Sequence, residues 1–263
     1  MTEIRLTMFD SDSQTIMPFV FRASQDETVL KIDFTAEDKA KYLQLEEKAK
    51  AFYGSFSRGL VSKAYLKVMA GLLPLRIACA GGRIPLDSSA QQPSDELDAD
   101  DSLEAQVEAA KPKKGVQLSE YAYKSKLERL IHEMIAIRDD EPDSKMLIFS
   151  QFATTLQWLQ EELPKNGFQF RTLSGDMTMT KRAKALNDFQ KDPPTTVFLL
   201  SMRAGAVGIN LTAANRVFLL EPHLNPALEA QAIGRVWRLG QTRPVKIYRL
   251  IIKDSVEERM QKM

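Results

Sequence analysis

From about residue 121 to residue 263 the hydrophobic pattern switches repeatedly between two periods, and that switching leaves few folds open to the chain. Short apolar runs at 146–149, 168–173, 196–201, 216–220 and 245–251 read as strands buried on both faces. Between them lie stretches with helical spacing. Leu127, Leu130, Ile131, Met134 and Ile135 form one stripe of a helix predicted over 121–138. Further helices are predicted over 153–163, 180–190 and 226–239, the last with Pro226 in its first turn, and from Ser255 onward. Strands that alternate with helices of about a dozen residues need a crossover after every strand, so the sheet must be parallel and covered on both faces. The predicted fold class is therefore α/β, a parallel doubly wound sheet.

The chain upstream differs. Leu30, Ile32 and Phe34 alternate as in a strand, and Thr35 with Asp38 three residues on reads as a helix N-cap. The helix it opens runs to about residue 53, with Tyr42, Leu45 and Ala49 on one face, and a second apolar helix covers about 63–78. From residue 87 the character changes again: Asp95, Glu96, Asp98, Asp100, Asp101, Glu104 and Glu108 lie among Ser, Gln and Pro, followed by Lys111, Lys113 and Lys114. Such a stretch buries too little to offset its ordering entropy, and it reads as a disordered linker in preference to an acidic partner-binding tail. The expected organisation is a small, mainly helical segment over 1–86, an acidic low-complexity linker over 87–118, and an α/β lobe over 119–263.

Several function classes are excluded at once. The longest apolar stretch, about 68–86, is interrupted by Pro74, Arg76 and Arg83 and fails the requirement of roughly 18 unbroken apolar residues for a membrane span. No secretory signal is read at the N-terminus. One cysteine, Cys79, and two histidines, His132 and His223, cannot supply a disulfide framework or a four-ligand zinc site of the usual kind. The net charge of +1 means that any nucleic-acid surface must be local.

No stretch has the phosphate-cradling pattern GxxxxGK[ST]; the nearest, 175–181, lacks the second glycine. Polar residues nevertheless gather in the loops after strands, where open α/β sheets bind ligands. After the run ending at Leu200 come Ser201, Arg203, Gly205, Gly208, Asn210 and Thr212, whose small residues permit close backbone approach and whose donors suit phosphate oxygens. A plain connecting turn is the competing reading, and the Asn210–Leu211–Thr212 acceptor pattern for glycosylation is set aside without a secretory signal. The second cluster is QAIGRVWRLGQ, 231–241. On a helix, Arg235 and Arg238 would point the same way and could reach one anion together, with Gln231 on the same face, although an isolated arginine pair is more often simply solvated.

KMLIFSQFATTL, LSGDMTMTKRAKALNDFQ, VFLLSMRAGAVGINLTAANRVFLLEPHLNPALEAQAIGRVWRLGQ and VKIYRLIIKDSVEERM follow one another in the order and spacing of a known family. From about residue 124 to 263 the chain resembles the C-terminal, RecA-like lobe of Swi/Snf-related ATPases, motors of helicase superfamily two. VLKIDFTAEDKAKYLQLEEKA and LLPLRIACAGG resemble the segment that precedes this lobe. LNPALEAQAIGRVWRLGQ is most similar to the branch holding the SNF-histone-linker-PHD-RING helicase and its fungal relatives in DNA-damage tolerance.

The resemblance implies roles. Arg235 and Arg238 would be the fingers that reach the γ-phosphate of ATP held, with Mg²⁺, mainly by a first lobe missing from this chain, and Gln231 would stand beside them. Gly205, Gly208 and Asn210 would couple the ATP site to DNA. Ser150, Gln151, Ser174, Gly175, Ser201, Arg203 and Thr212 would grip DNA phosphates. No metal ligand is implied in this chain. The implied partners are double-stranded DNA, the first lobe, and histones or nucleosomes, in the nucleus and away from membranes, and the chain alone is expected to be inactive or nearly so. Four positions depart from the pattern: Ala206 for a glycine, Glu221 for an aspartate, Gly234 for an aspartate of the wider family, and Trp237 for a histidine. The RING ubiquitin-ligase module of several relatives is not expected, for want of zinc ligands. The rival expectations are the second lobe of an RNA helicase and a truncated, non-catalytic fragment that binds DNA or a partner; RLGQ and SVEERM favour the duplex-DNA branch.

Overall fold

Successive side chains of a strand point to opposite faces, so an unbroken apolar run has both faces to bury. Met146 and Ile148 pack into one core and Leu147 and Phe149 into another, and the same split separates Val197 and Leu199 from Phe198 and Leu200. The computed structural model describes residues 23–54, 61–85, 117–173, 177–202 and 209–262. In chain order the elements are β1 (Gln25–Ile32), α1 (Ala36–Gly54), α2 (Val61–Ala80), β2 (Gly82–Pro85), β3 (Leu118–Tyr123), α3 (Ser125–Asp140), β4 (Met146–Ser150), α4 (Ala153–Glu162), β5 (Gln169–Leu173), α5 (Met179–Lys191), β6 (Thr195–Ser201), β7 (Arg216–Leu219), α6 (Pro226–Ile233), β8 (Val245–Ile252) and α7 (Val256–Gln261).

Among the described residues, six strands form one sheet in the order β1-β8-β7-β4-β6-β5, every neighbouring pair parallel. Buried residues of α1, α2, α3, α4 and α7 contribute to the core on one face, and those of α5 and α6 to the core on the other. The segment ahead of the acidic stretch is built into this architecture: β1 extends the sheet beyond β8 in full register from Gln25↔Val245 to Ile32↔Ile252. β2 and β3 form a separate antiparallel pair. Most of the predicted linker, residues 86–116, lies outside the described residues.

Two predicted boundaries move. The helix expected from residue 121 begins at Ser125, because Tyr121 and Tyr123 belong to β3 and a distant carboxylate sets the start. Asp38, buried in the first turn of α1, accepts from Lys124 N at 3.0 Å, Ser125 N at 2.8 Å, the Ser125 hydroxyl and Tyr121 Oη. Thr35 caps α1 as predicted, its Oγ1 accepting from Asp38 N at 3.2 Å. The other displaced boundary is the end of α6, at Ile233 instead of 239, and it changes how the arginines are held.

Candidate functional site

The chain leaves β4 through α4 toward β5 on one side and leaves β7 through α6 toward β8 on the other. Because β4 and β7 are neighbours, the crevice where such sheets bind ligands opens between their carboxyl ends. Here the protein fills it with its own groups. Glu221, just past β7, is buried; one carboxylate oxygen accepts from Ser150 Oγ at 2.5 Å and the other from Gln151 N at 3.1 Å. The Gln151 side chain is also committed: Oε1 accepts from Arg76 Nη2 at 2.6 Å and Nε2 donates to Pro222 O at 3.4 Å.

Beneath this cross-tie lies a buried ion pair. Lys126 Nζ donates to both Glu257 oxygens at 2.6 Å and to Leu220 O at 2.5 Å, with both side chains almost wholly inaccessible. Arg76 stacks over Phe152, 5.6 Å from its ring centroid. Burial sets the electrostatics, since low dielectric penalises each charged form. It pushes Glu221 from 4.5 up to about 7, against the pull of Lys126 and of the Ser150 and Gln151 donors. The same cause raises the Glu257 carboxyl, with Lys126 opposing, and draws the Arg76 guanidinium below its usual range.

The two arginines lie at the other end of the strands. α6 stops at Ile233 with Gly234 as its C-cap, where glycine weakens the helix, and the next turns tighten: Arg235 N bonds to Ala232 O at 3.2 Å and Val236 N to Ile233 O at 3.0 Å. Carbonyls that a longer helix would use are taken from the side. Leu211 N donates to Arg235 O at 3.1 Å, and buried Gln241 Nε2 donates to Val236 O at 3.4 Å, Ala214 O at 2.7 Å and Thr212 O at 3.1 Å. Asn215 N in turn bonds to Lys145 O, immediately before β4, which puts this turn at the amino ends of β4 and β7. Arg235 is half-buried and Arg238 exposed. The premise of a shared helical face is thus corrected: the pair is carried on a locked turn after the helix. At about 3.3 Å per residue, the four residues of β7 alone put roughly 13 Å between the two ends.

Residues 125–240 match the helicase conserved C-terminal domain family. The chain is 39% identical over 179 residues to the helicase-like transcription factor of Mus musculus, covering 67% of this chain and 17% of that protein. It is 44% identical over 137 residues to DNA repair protein RAD5A of Arabidopsis thaliana, 52% of this chain and 13% of that one. The chain carries the C-terminal helicase-like lobe of a Swi/Snf-related ATPase. It spans only a small part of the length of these relatives. Among solved structures, the C-terminal part of the Fun30 ATPase domain superposes with a TM-score of 0.68 at 23% identity, over 92% of this chain and 89% of that one. The Sulfolobus solfataricus SWI2/SNF2 ATPase core, solved in complex with double-stranded DNA, gives 0.60 at 22% identity, over 90% of this chain and 43% of that one. Both likenesses support the RecA-like fold of the lobe.

Within this Swi/Snf-type lobe the expected site residues divide between the two ends of the sheet. Asn210 and Thr212 join Arg235 and Arg238 at the amino end. There Asn210 Oδ1 accepts from Thr212 N at 3.1 Å, and Leu211, between them, bonds to the arginine turn. Gln231 is exposed on α6. Ser150, Gln151 and Ser201 lie at the carboxyl end, with Ser150 and Ser201 paired in register. The buried Ser150 hydroxyl donates to Glu221, and the half-buried Gln151 amide accepts from Arg76 and donates to Pro222 O, because Glu221 needs donors where water is excluded. Ser174, Gly175, Arg203, Gly205 and Gly208 lie outside the described residues, as does Ala206. Sequence reasoning missed Gln241, Arg76, Lys126 and Glu257. For Gln241 a signal existed, a polar residue directly after Gly240 in RLGQ; the others sit in helical stretches where a charge ordinarily reads as exposed.

Proposed function

We propose that this lobe is the second motor half of an ATP-dependent translocase on double-stranded DNA, serving chromatin remodelling or DNA repair and damage tolerance in the nucleus. The observation that carries this reading is the arginine turn. Arg235 and Arg238 are held by backbone bonds and by Gln241 on a segment that ends no helix freely, with Arg238 in solvent. Guanidinium forks at fixed spacing suit phosphate oxygens, and arginines supplied across a cleft can be worth roughly 10³ to 10⁵ in the rate of phosphoryl transfer. The residues fit that task and no other nucleotide-holding element is read in the sequence, so ATP with Mg²⁺ belongs mainly to a first lobe. Bound ATP supplies the free energy of each cycle.

Separation of the two ends supports a division of labour. The arginine turn serves the nucleotide at the amino ends of the strands, while loops at the carboxyl ends, through backbone donors and Ser201, hold DNA phosphates without reading sequence. Closing and opening against the first lobe then moves the DNA grip a small step per cycle. The test joins this chain to an ATP-holding first lobe and compares it with its Arg235→Ala variant. The expected result is a fall in kcat of roughly 10³ or more, with duplex-DNA affinity nearly unchanged. Undiminished hydrolysis by the variant refutes the finger role, and stimulation by RNA in place of duplex DNA reassigns the lobe to an RNA helicase.

A further inference from the structure

We infer that Trp237 is a positioning residue: its indole N–H, bonded to the carbonyl of Ala23 at the entrance to β1, fixes the turn that bears Arg235 and Arg238 to the segment leading into the fold. The bond measures 2.6 Å and joins residues 214 apart in sequence. An indole nitrogen is a donor only, so its direction constrains the whole ring. The half-buried ring packs against the apolar core to which α5 and α6 contribute. The acceptor is equally held. Ser24 O, one residue on, accepts from Val245 N at 2.9 Å, and β1 then runs in register along β8.

The remaining ties on this turn differ in kind. Leu211 and Gln241 bind it to the 210–214 loop, part of the same lobe. Trp237 connects it to Ala23, at the entrance to β1. It sits between the two arginines, so its ring orientation sets the backbone from which both guanidiniums extend. A displacement of the entry segment would therefore reach Arg235 and Arg238 directly. This rests on the motor reading, in which that segment joins the two lobes.

The chemistry of the position sharpens the claim. An imidazole Nε2 is the same number of bonds from Cβ as the indole Nε1, so histidine can place a ring N–H on the Ala23 carbonyl, whereas phenylalanine keeps a ring and loses the donor. In the polypeptide joined to a first lobe, Trp237→Phe should lower kcat of DNA-stimulated ATP hydrolysis by roughly fivefold to tenfold, the size one positioning hydrogen bond supports. The KM for ATP and the half-saturating DNA concentration should stay within about twofold of the parent. Trp237→His should recover most of the rate. In this chain with Trp158→Phe, the one remaining indole N–H should exchange with solvent far more slowly than a free indole, followed by nitrogen-15 NMR.

If Arg235→Ala abolishes hydrolysis while Trp237→Phe turns over at the parental rate, or Trp237→His is as impaired as Trp237→Phe, the positioning role is overturned and the motor reading stands. If Arg235→Ala is fully active, both fall. Should Trp237→Phe fail to fold, an indole proton that exchanges at the free rate in the otherwise intact chain still sinks the inference.

Discussion

Glu221 offers the most direct physical test of the buried knot between β4 and β7. Burial raises its carboxyl from 4.5 to about 7, so between these values the folded protein holds a proton that the unfolded chain has released. The unfolded state then binds fewer protons, and stability must fall as pH rises through that window. At about 1.36 kcal/mol per unit, a displacement from 4.5 to about 7 is worth about 3 kcal/mol in full, of which about 2.5 kcal/mol accrues between pH 5 and pH 8. Against a domain stability of about 5–15 kcal/mol this is readily measured.

Glu221→Gln removes that proton from the balance. At pH 5 the folded parent holds Glu221 as the neutral acid, which the amide mimics by accepting from Gln151 N and donating to Ser150 Oγ; its second N–H is left buried without a partner, so the variant should be less stable than the parent at pH 5 by about 1–3 kcal/mol. At pH 8 the parent carries the cost of a buried charge and the variant does not, so the gap should close or reverse by about 2–3 kcal/mol. Urea denaturation of both proteins at the two pH values, analysed by midpoint and slope, gives the comparison. Glu257, raised by the same burial, titrates in both proteins and largely cancels. A stability difference between the two proteins that is identical at pH 5 and pH 8 refutes the argument.

Lys126→Met should cost about 3–5 kcal/mol in the same urea assay at pH 8, because it leaves the Glu257 charge buried without its cation. Lowering the pH should soften that loss, since Glu257 can then take up a proton. Gly81→Ala should destabilise by about 2 kcal/mol or more, measured as a lower denaturation midpoint. Gly81 has a φ of +97°, and an added Cβ would stand 2.6 Å from Leu127 Cγ in the core.

What the sequence disclosed and what it hid divide along one line. Period alone located β4, β5, β6, β7 and β8 to within a residue or two, because each is an apolar run enclosed by helices and its neighbours in sequence carry the signal. The arginines were visible in the same way, as residue types in a spaced motif. Their support was not. The end of α6 at Ile233 is decided by Gly234 together with carbonyl partners drawn from Leu211 and Gln241, only part of which is local. Ser150 and Gln151 looked like ligand-facing loop residues. Their side chains are bonded to Glu221 and Arg76, 71 and 75 residues away respectively, and no local pattern encodes that meeting. Likewise the start of α3 is written in Asp38, 87 residues upstream of Ser125.

The location of that knot bears on how a lobe of this kind can work. A doubly wound sheet ordinarily keeps its switch-point crevice for a ligand, yet here a carboxylate closes it and ties the loop after β4 to the loop after β7. Glu221 therefore stands at one end of a short path: the loop beyond it leads into α6, only eight residues long, and α6 delivers the chain to the arginine turn at the opposite end of the strands. Glu229 on α6 receives His223 N at 2.6 Å and pairs with Arg249 of β8, so the loop, the helix and the neighbouring strand are tied together along the way. On the proposed reading, the DNA-facing loops and the nucleotide-facing arginines are then two ends of one stiff unit, and a shift at either end has few soft joints in which to dissipate.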